Sequence, residues 1–172
     1  ICKMCFYRRW KLYSYANAAA DKAVVKVNGK RVRTEVVDGY MPVQRAWKEG
    51  DKVEIELPMP VRYSVADERV KADINRVCVT RGPLVYCAEQ PDNEFVASHY
   101  VLTNINQKGE VATFSEGIMN GIDNITLKAA ALVDDGAEEP NTVDATLKLI
   151  PYYAWNNRGD NVTMNVWFAR DA

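Results

Sequence analysis

Hydrophobic and polar residues alternate along much of this chain with the period of an extended strand. Lys52-Val53-Glu54-Ile55-Glu56-Leu57 alternates strictly, which predicts one wet face and one buried face. Asn161-Val162-Thr163-Met164-Asn165-Val166-Trp167-Phe168 alternates again, and Trp167 reads there as a core residue. Residues 23–27 run into Asn28-Gly29 and out through residues 30–36. Asn-Gly tolerates the positive φ angles of a type I′ turn, so this segment predicts a hairpin. Residues 40–45 and 52–57 read as a second strand pair joined by Trp47-Lys48-Glu49-Gly50-Asp51. Further strands are expected at 76–80, 83–89, 100–103, 111–115, 124–132, 142–150 and 162–169. The alanines of 124–132 would suit a helix, but Ile125, Thr126 and Val133 and the neighbouring strands favour β.

Gly, Pro, Asn and Asp punctuate these runs at the spacing of a sandwich. The expectation is an all-β fold of antiparallel β-sandwich units, jelly-roll-like, with no internal repeat. A polar stretch over residues 66–73 suggests a boundary, giving a partial first sandwich at 1–66 and a second at 67–172. The acidic interval 134–140 reads as an exposed loop.

Composition narrows the chemistry. The 172 residues carry 22 Lys+Arg against 23 Asp+Glu, so no basic footprint points to a nucleic-acid partner. Uncharged apolar runs fall far short of a membrane span, which argues against a membrane partner. Residues 1–10 hold Lys3, Arg8 and Arg9 without an apolar stretch or cleavage site, and the opening Ile suggests a piece of something longer. The one histidine, His99, excludes a His-rich metal site and reads as a half-buried strand residue.

Cys2-Lys3-Met4-Cys5 has CxxC spacing, yet Cys78 and Cys87 form no second zinc knuckle, and no strand–helix context supports redox chemistry. Cys78 and Cys87 could face each other on successive strands, but read more simply as buried thiols. Carboxylates are plentiful: Glu54 and Glu56, then Glu89 with Asp92 and Glu94, then the 134–139 loop. A glycosidase needs two of them at a set separation, which no sequence shows. Glu54 and Glu56 share one strand face and read as solvated; the acidic loop lacks the ordered spacing of a calcium loop. The remaining lead is aromatic. Tyr152, Tyr153, Trp155, Asn156, Asn157 and Arg158 crowd rings, amides and a guanidinium into one short segment. That composition suits a sugar-binding surface, a domain–domain contact or core packing, and leaves the three open.

Several segments together resemble a known family. Val27-Asn28-Gly29-Lys30, Gly39-Tyr40, 45–51 (Arg-Ala-Trp-Lys-Glu-Gly-Asp) and 57–62 (Leu-Pro-Met-Pro-Val-Arg) come in its order and spacing. Arg76-Val77, 81–89 (Arg-Gly-Pro-Leu-Val-Tyr-Cys-Ala-Glu), Asp92-Asn93 and 151–159 (Pro-Tyr-Tyr-Ala-Trp-Asn-Asn-Arg-Gly) follow. The chain resembles the C-terminal region of glycoside hydrolase family 127, the β-L-arabinofuranosidase-like enzymes, with the related family 146. Such proteins are frequent in the polysaccharide-degrading systems of Bacteroidetes.

The resemblance implies an N-terminal (α/α)6 barrel that holds a zinc-bound cysteine nucleophile, a glutamate acid/base and further Glu and Cys zinc ligands. No segment here reads as a barrel helix, and Cys2, Cys5, Cys78 and Cys87 match no catalytic position, so no catalytic or metal residue is carried over. The implied role is a non-catalytic sandwich region that braces the barrel as its partner, with residues 152–159 at the contact. The alternative is an autonomous carbohydrate-binding module for plant-type, arabinose-containing glycans. An independent hydrolase is disfavoured by the missing barrel and cysteine motif. Periplasmic or extracellular location follows from the family alone.

Residues 1–11 depart from the family, which has an Arg-Ile-Pro-Gly-Trp-like segment before the hairpin, and the likeness resumes near residues 12–15. A truncated or frame-shifted opening is one expectation; it would cost the first sandwich a strand and expose a sheet edge to self-association.

Overall fold

The computed structural model describes residues 12–17, 22–106, 111–117, 119–138, 140–159 and 162–170. The Cys2–Cys5 spacing and the atypical opening lie outside them. Among the described residues there are thirteen strands, four single-turn 3-10 helices and no α-helix, so the all-β expectation holds. No helix among them is long and apolar enough to cross a membrane. The chain divides into two compact units, one of Ile1–Ala19 with Pro60–Ala172 and one of Ala20–Met59.

In chain order the strands are β1 (Tyr13–Tyr15), β2 (Val24–Val27), β3 (Lys30–Val32), β4 (Val53–Glu56), β5 (Val61–Ala66) and β6 (Arg76–Arg81). Then come β7 (Leu84–Glu89), β8 (Tyr100–Leu102), β9 (Thr113–Ser115), β10 (Ile122–Val133), β11 (Asn141–Pro151), β12 (Met164–Asn165) and β13 (Trp167–Arg170).

The smaller unit is a three-stranded antiparallel sheet, β3-β2-β4. Its hairpin is the one read from the sequence, with φ of 50° at Asn28 and 73° at Gly29. The second strand pair is a correction. β4 pairs β2 with Val25 opposite Ile55, and residues 41–45 form no strand. Asp38 and Gly39 take positive φ, and Val37 and Tyr40 exchange two backbone hydrogen bonds of 2.9 Å around them. Pro42 then follows, and its missing N–H cannot extend that ladder.

In the larger unit the hydrogen-bonded order runs β1-β5-β6-β13-β8-β10-β11-β7-β12, with β9 on β10 and a further β6–β7 pairing. The β6–β7 hairpin therefore closes a circuit through β13, β8, β10 and β11 around the core. Every pairing is antiparallel except β13 with β8, which is parallel. The long β10 settles the helix-or-strand question: Ile125, Leu127, Ala129 and Ala131 are buried while Thr126 and Lys128 are exposed, a period of two. Tyr86, Tyr100 and Phe168 are fully buried at the centre with Val77, Val79, Leu147 and Leu149. Buried phenols need acceptors, and Tyr86 donates to the Asp123 carbonyl at 2.9 Å.

Three expectations move here. Residues 61–66, placed in the first sandwich by the sequence, form β5 and pair with β6 over five residues, so the division falls at Met59–Pro60. Pro58 and Pro60 interrupt strand pairing there, whereas the polar stretch read as a boundary falls at the end of β5 and in the 67–75 connection to β6. Trp167 leaves the core to Phe168, its neighbour on the opposite face, and tilts against Tyr13 at 5.9 Å. His99 ends a 3-10 turn, Ala97–His99, and is exposed rather than half-buried.

Candidate functional site

The aromatic segment begins where β11 ends. Pro151 is followed by a single 3-10 turn, Tyr152–Ala154, closed by the Trp155 N–H donating to the Tyr152 carbonyl at 3.2 Å. Ala154 is fully buried beside Cys87, Ile122 and Ile150, with Trp155, Met164 and Val166 packed around them. This small cluster anchors the turn from below. Asn156 has φ of 62°, a region asparagine enters more readily than most residues, and this aims its N–H at Glu89 Oε1, 2.8 Å away. The Asn157 side-chain amide donates to the carbonyls of Ala154 (3.1 Å) and Trp155 (3.0 Å), fastening the turn to itself.

Arg158 holds the assembly from the other side. Its Nε donates to Glu89 Oε2 at 3.0 Å and its Nη1 to Asp92 Oδ1 at 2.9 Å, while Nη2 contacts both carboxylates. The Glu89 side chain is wholly inaccessible at the end of β7, and a buried carboxylate requires such a partner. Burial pushes the Asp92 carboxyl up, but hydrogen bonding and charge from Arg158, with Lys148 at 3.5 Å, outweigh it and hold it below its ordinary value. Asn93 completes the frame: its amide donates to the carbonyls of Glu89 (2.9 Å) and Lys148 (3.0 Å) and accepts the Lys148 N–H at 2.8 Å.

The six residues singled out from the sequence therefore separate. Asn156, Asn157 and Arg158 are engaged with the scaffold. Tyr152 and Tyr153 are the more outward pair, 45% and 55% exposed. Trp155 is half-buried against Tyr152, ring centroids 6.0 Å apart, and its buried Nε1–H has no acceptor among the described residues. Arg81 Nη1 meets Asp123 Oδ2 at 2.8 Å. Burial pushes the Tyr86 hydroxyl up, Arg81 opposes that, and Asp123 adds to it. Glu89 and Asp92 were visible in the sequence as carboxylates but not as partners of Arg158. The available signal was a charge ending the apolar run Leu-Val-Tyr-Cys-Ala, a position that demands a counter-ion.

The other candidates resolve into structure. Cys78 and Cys87 are free, buried thiols pushed up to about 12, chiefly by burial, so neither is a nucleophile or a ready thiolate ligand. Among the described residues no group of three His, Cys, Asp or Glu side chains gathers to hold a metal, and the zinc implied for the family's barrel finds no fitting donor set there. Asp134 and Asp135 accept hydrogen bonds from the loop N–H groups of Gly136 and Ala137. Glu54 and Glu56 pair with Lys52 and Lys26 on an exposed face.

Residues 7–59 match the family model of the beta-L-arabinofuranosidase GH127 middle domain, and residues 61–169 match the glycoside hydrolase family 127 C-terminal domain. The chain belongs to glycoside hydrolase family 127. The two family segments meet where the contacts divide the molecule. A non-reducing end beta-L-arabinofuranosidase of Bifidobacterium longum subsp. longum is 38% identical over 144 residues, 77% of this chain and 22% of that protein. A solved GH127 beta-arabinofuranosidase is 43% identical with a TM-score of 0.85, over 94% of this chain and 25% of that one. A GH127 beta-L-arabinofuranosidase from Geobacillus stearothermophilus T6 is 32% identical with a TM-score of 0.78, over 88% of this chain and 25% of that one. The chain thus spans about a quarter of the length of its relatives.

Proposed function

We propose that this chain serves as the non-catalytic C-terminal β-sandwich region of a β-L-arabinofuranosidase-like hydrolase, bracing the catalytic barrel of the parent enzyme. The observation that carries this reading is the division of labour in residues 152–158. The side chains of Asn157 and Arg158 and the backbone N–H of Asn156 are spent on the scaffold, leaving the Tyr152 and Tyr153 rings among the outward-facing groups of the turn. Exposed rings on a fixed turn suit a packed contact, where aromatic residues carry a large share of the energy. The quarter-length coverage of relatives supports a larger parent. In the full-length parent, replacing Tyr152 and Tyr153 together with Ala is expected to lower the midpoint of thermal unfolding or the hydrolysis of an aryl β-L-arabinofuranoside. A double variant unchanged in both would overturn the bracing role.

The same two rings favour a second reading, a binding surface for arabinose-containing glycans, because sugar CH faces stack on flat aromatics. Calorimetric titration of the chain with arabino-oligosaccharides separates the two. Binding that Tyr153→Ala removes supports the module, and no heat at any concentration rejects it.

A further inference from the structure

The wall formed by β1, β5, β6 and β13 turns Tyr63, Val77, Val79 and Phe168 into the core of the larger unit. Alternation sends their neighbours outward. Along one line across that outer face, Tyr15 lies opposite Ser64, Ser64 opposite Cys78, and Cys78 opposite Trp167. Tyr13 stands two residues along, opposite Ala66. Large rings therefore flank a middle of short side chains. Tyr13 and Trp167 start on strands with β5 and β6 between them, yet their ring centroids come within 5.9 Å. Cys78 faces outward there but is only 5% exposed, so it lies beneath a roof, and rings meeting across β5 and β6 supply one. The short residues below let the rings fold down and present their faces to solvent. Tyr13 and Tyr15 remain about half exposed.

Two cations border these rings. The Arg62 guanidinium sits 4.4 Å from the centroid of the Tyr15 ring, and Arg76, opposite Ala169, is exposed. Neither enters an ion pair among the described residues, unlike Arg69, Arg81 and Arg158, each held by a carboxylate. Arg62 lies opposite Thr80, four residues along β6 from Arg76, so the two charges bracket the rings over about 13 Å at roughly 3.3 Å per residue. The Tyr13 hydroxyl donates to Asp73 Oδ2 at 3.5 Å, which leaves the balance of charge with the two arginines. Flat rings stack on the CH faces of sugars, and an unpaired guanidinium recognises a carboxylate through two parallel hydrogen bonds. A neutral sugar would use the first feature and leave the second idle. We propose that Tyr13, Tyr15 and Trp167, with Arg62 and Arg76, form a binding platform for a carboxylate-bearing glycan, one built from uronic acid residues. Single-stranded nucleic acid also stacks on rings between cations, but its continuous charge calls for a basic surface, and this chain has 22 Lys+Arg against 23 Asp+Glu. Membership of a glycoside hydrolase family favours the sugar. The platform shares no residue with the tyrosine turn and does not depend on the bracing role.

The test is calorimetric titration of the chain with an oligogalacturonate, a neutral arabino-oligosaccharide and a single-stranded oligonucleotide. The oligogalacturonate should bind, more weakly as salt is raised, and the neutral sugar should bind at least about tenfold less tightly. Tyr15→Ala and Arg62→Gln should each weaken the acidic sugar by about fivefold or more, the size expected of one stacked ring or one charge-assisted pair. Arg62→Gln leaves the rings and the strand ladder in place, so it tests the charge even if Tyr15→Ala loosens β1. Tyr153→Ala should leave this binding unchanged. Acidic-sugar binding lost in Tyr153→Ala but kept in Tyr15→Ala and Arg62→Gln would overturn the platform and move the site to the turn. Equal affinity for the neutral sugar, or tighter binding of the oligonucleotide, would overturn the acidic-glycan class. No heat with the oligogalacturonate would overturn the proposal outright. None of these outcomes bears on bracing, which is read in the stability and activity of the parent enzyme.

Discussion

Two stretches of strand with the same alternating pattern meet opposite fates in this molecule. In β10, alternate residues Ile125, Leu127, Ala129 and Ala131 are buried, because the closed circuit of strands places an opposing layer over them. In β4, the alternate residues Val53, Ile55 and Leu57 are exposed, and the glutamates between them are paired on the other face. Alternation specifies that a strand has two faces; burial depends on whether a second layer is present to cover one of them. The contrast can be broken at its strongest point by comparing Phe168→Ala with Ile55→Ala in urea denaturation of the chain. Phe168 is fully buried, and truncation should cost about 3–5 kcal/mol through lost contacts and a cavity. Ile55→Ala should stay within about 0.5 kcal/mol, the usual range for a surface change. Comparable losses at both positions would mean that β4 is already covered.

A comparable loss, by a different mechanism, is expected at Arg158. Arg158→Met removes the guanidinium and leaves Glu89 buried and unpaired, which should destabilise the larger unit by about 3–5 kcal/mol. Arg158→Lys should recover only part of this, since one ammonium cannot reproduce the fork between Glu89 and Asp92. A Met variant as stable as wild type would remove the ionic frame from any account of the tyrosine turn.

A smaller effect is expected from acid. Asp92 is held below its ordinary value in the folded chain, so its contribution is fully present above the unfolded pKa and is lost as the pH falls through the folded one. Urea midpoints measured between about pH 6 and pH 3 should therefore fall more steeply for wild type than for Asp92→Asn, which has no proton to take up there. Parallel curves would assign the acid sensitivity elsewhere.

Much of this architecture was legible before any coordinates. The Asn28-Gly29 hairpin, β6, β7, β10 and β11 follow from β-branched runs and turn residues, because those signals are local. What escaped depends on distant partners. Tyr13–Tyr15 and Val61–Ala66 become strands through pairing with each other and with β6. Asn17 extends that edge, donating to the Val61 carbonyl at 3.2 Å and accepting the Tyr63 N–H at 3.0 Å across 46 positions of sequence. The candidate segment was found by composition, but its inside and outside were not. Arg158 belongs to Glu89 and Asp92, 69 and 66 positions away, and only the fold says so.

The smallest expected effect bears on how the three-stranded sheet holds itself together. Gly29 has φ of 73° and nothing within 4 Å of the position a Cβ would occupy, so Gly29→Ala meets only a backbone cost of about 1 kcal/mol. In a sheet whose apolar face is only partly covered, little tertiary packing offsets even that amount, and the turn supplies a large share of its order. Hydrogen exchange should therefore show faster exchange across β2 and β3 in Gly29→Ala, with β10 and β11 unchanged. If β2 and β3 keep wild-type protection, packing on the apolar face outweighs the turn, and a cover for Val53 and Ile55 must already be in place.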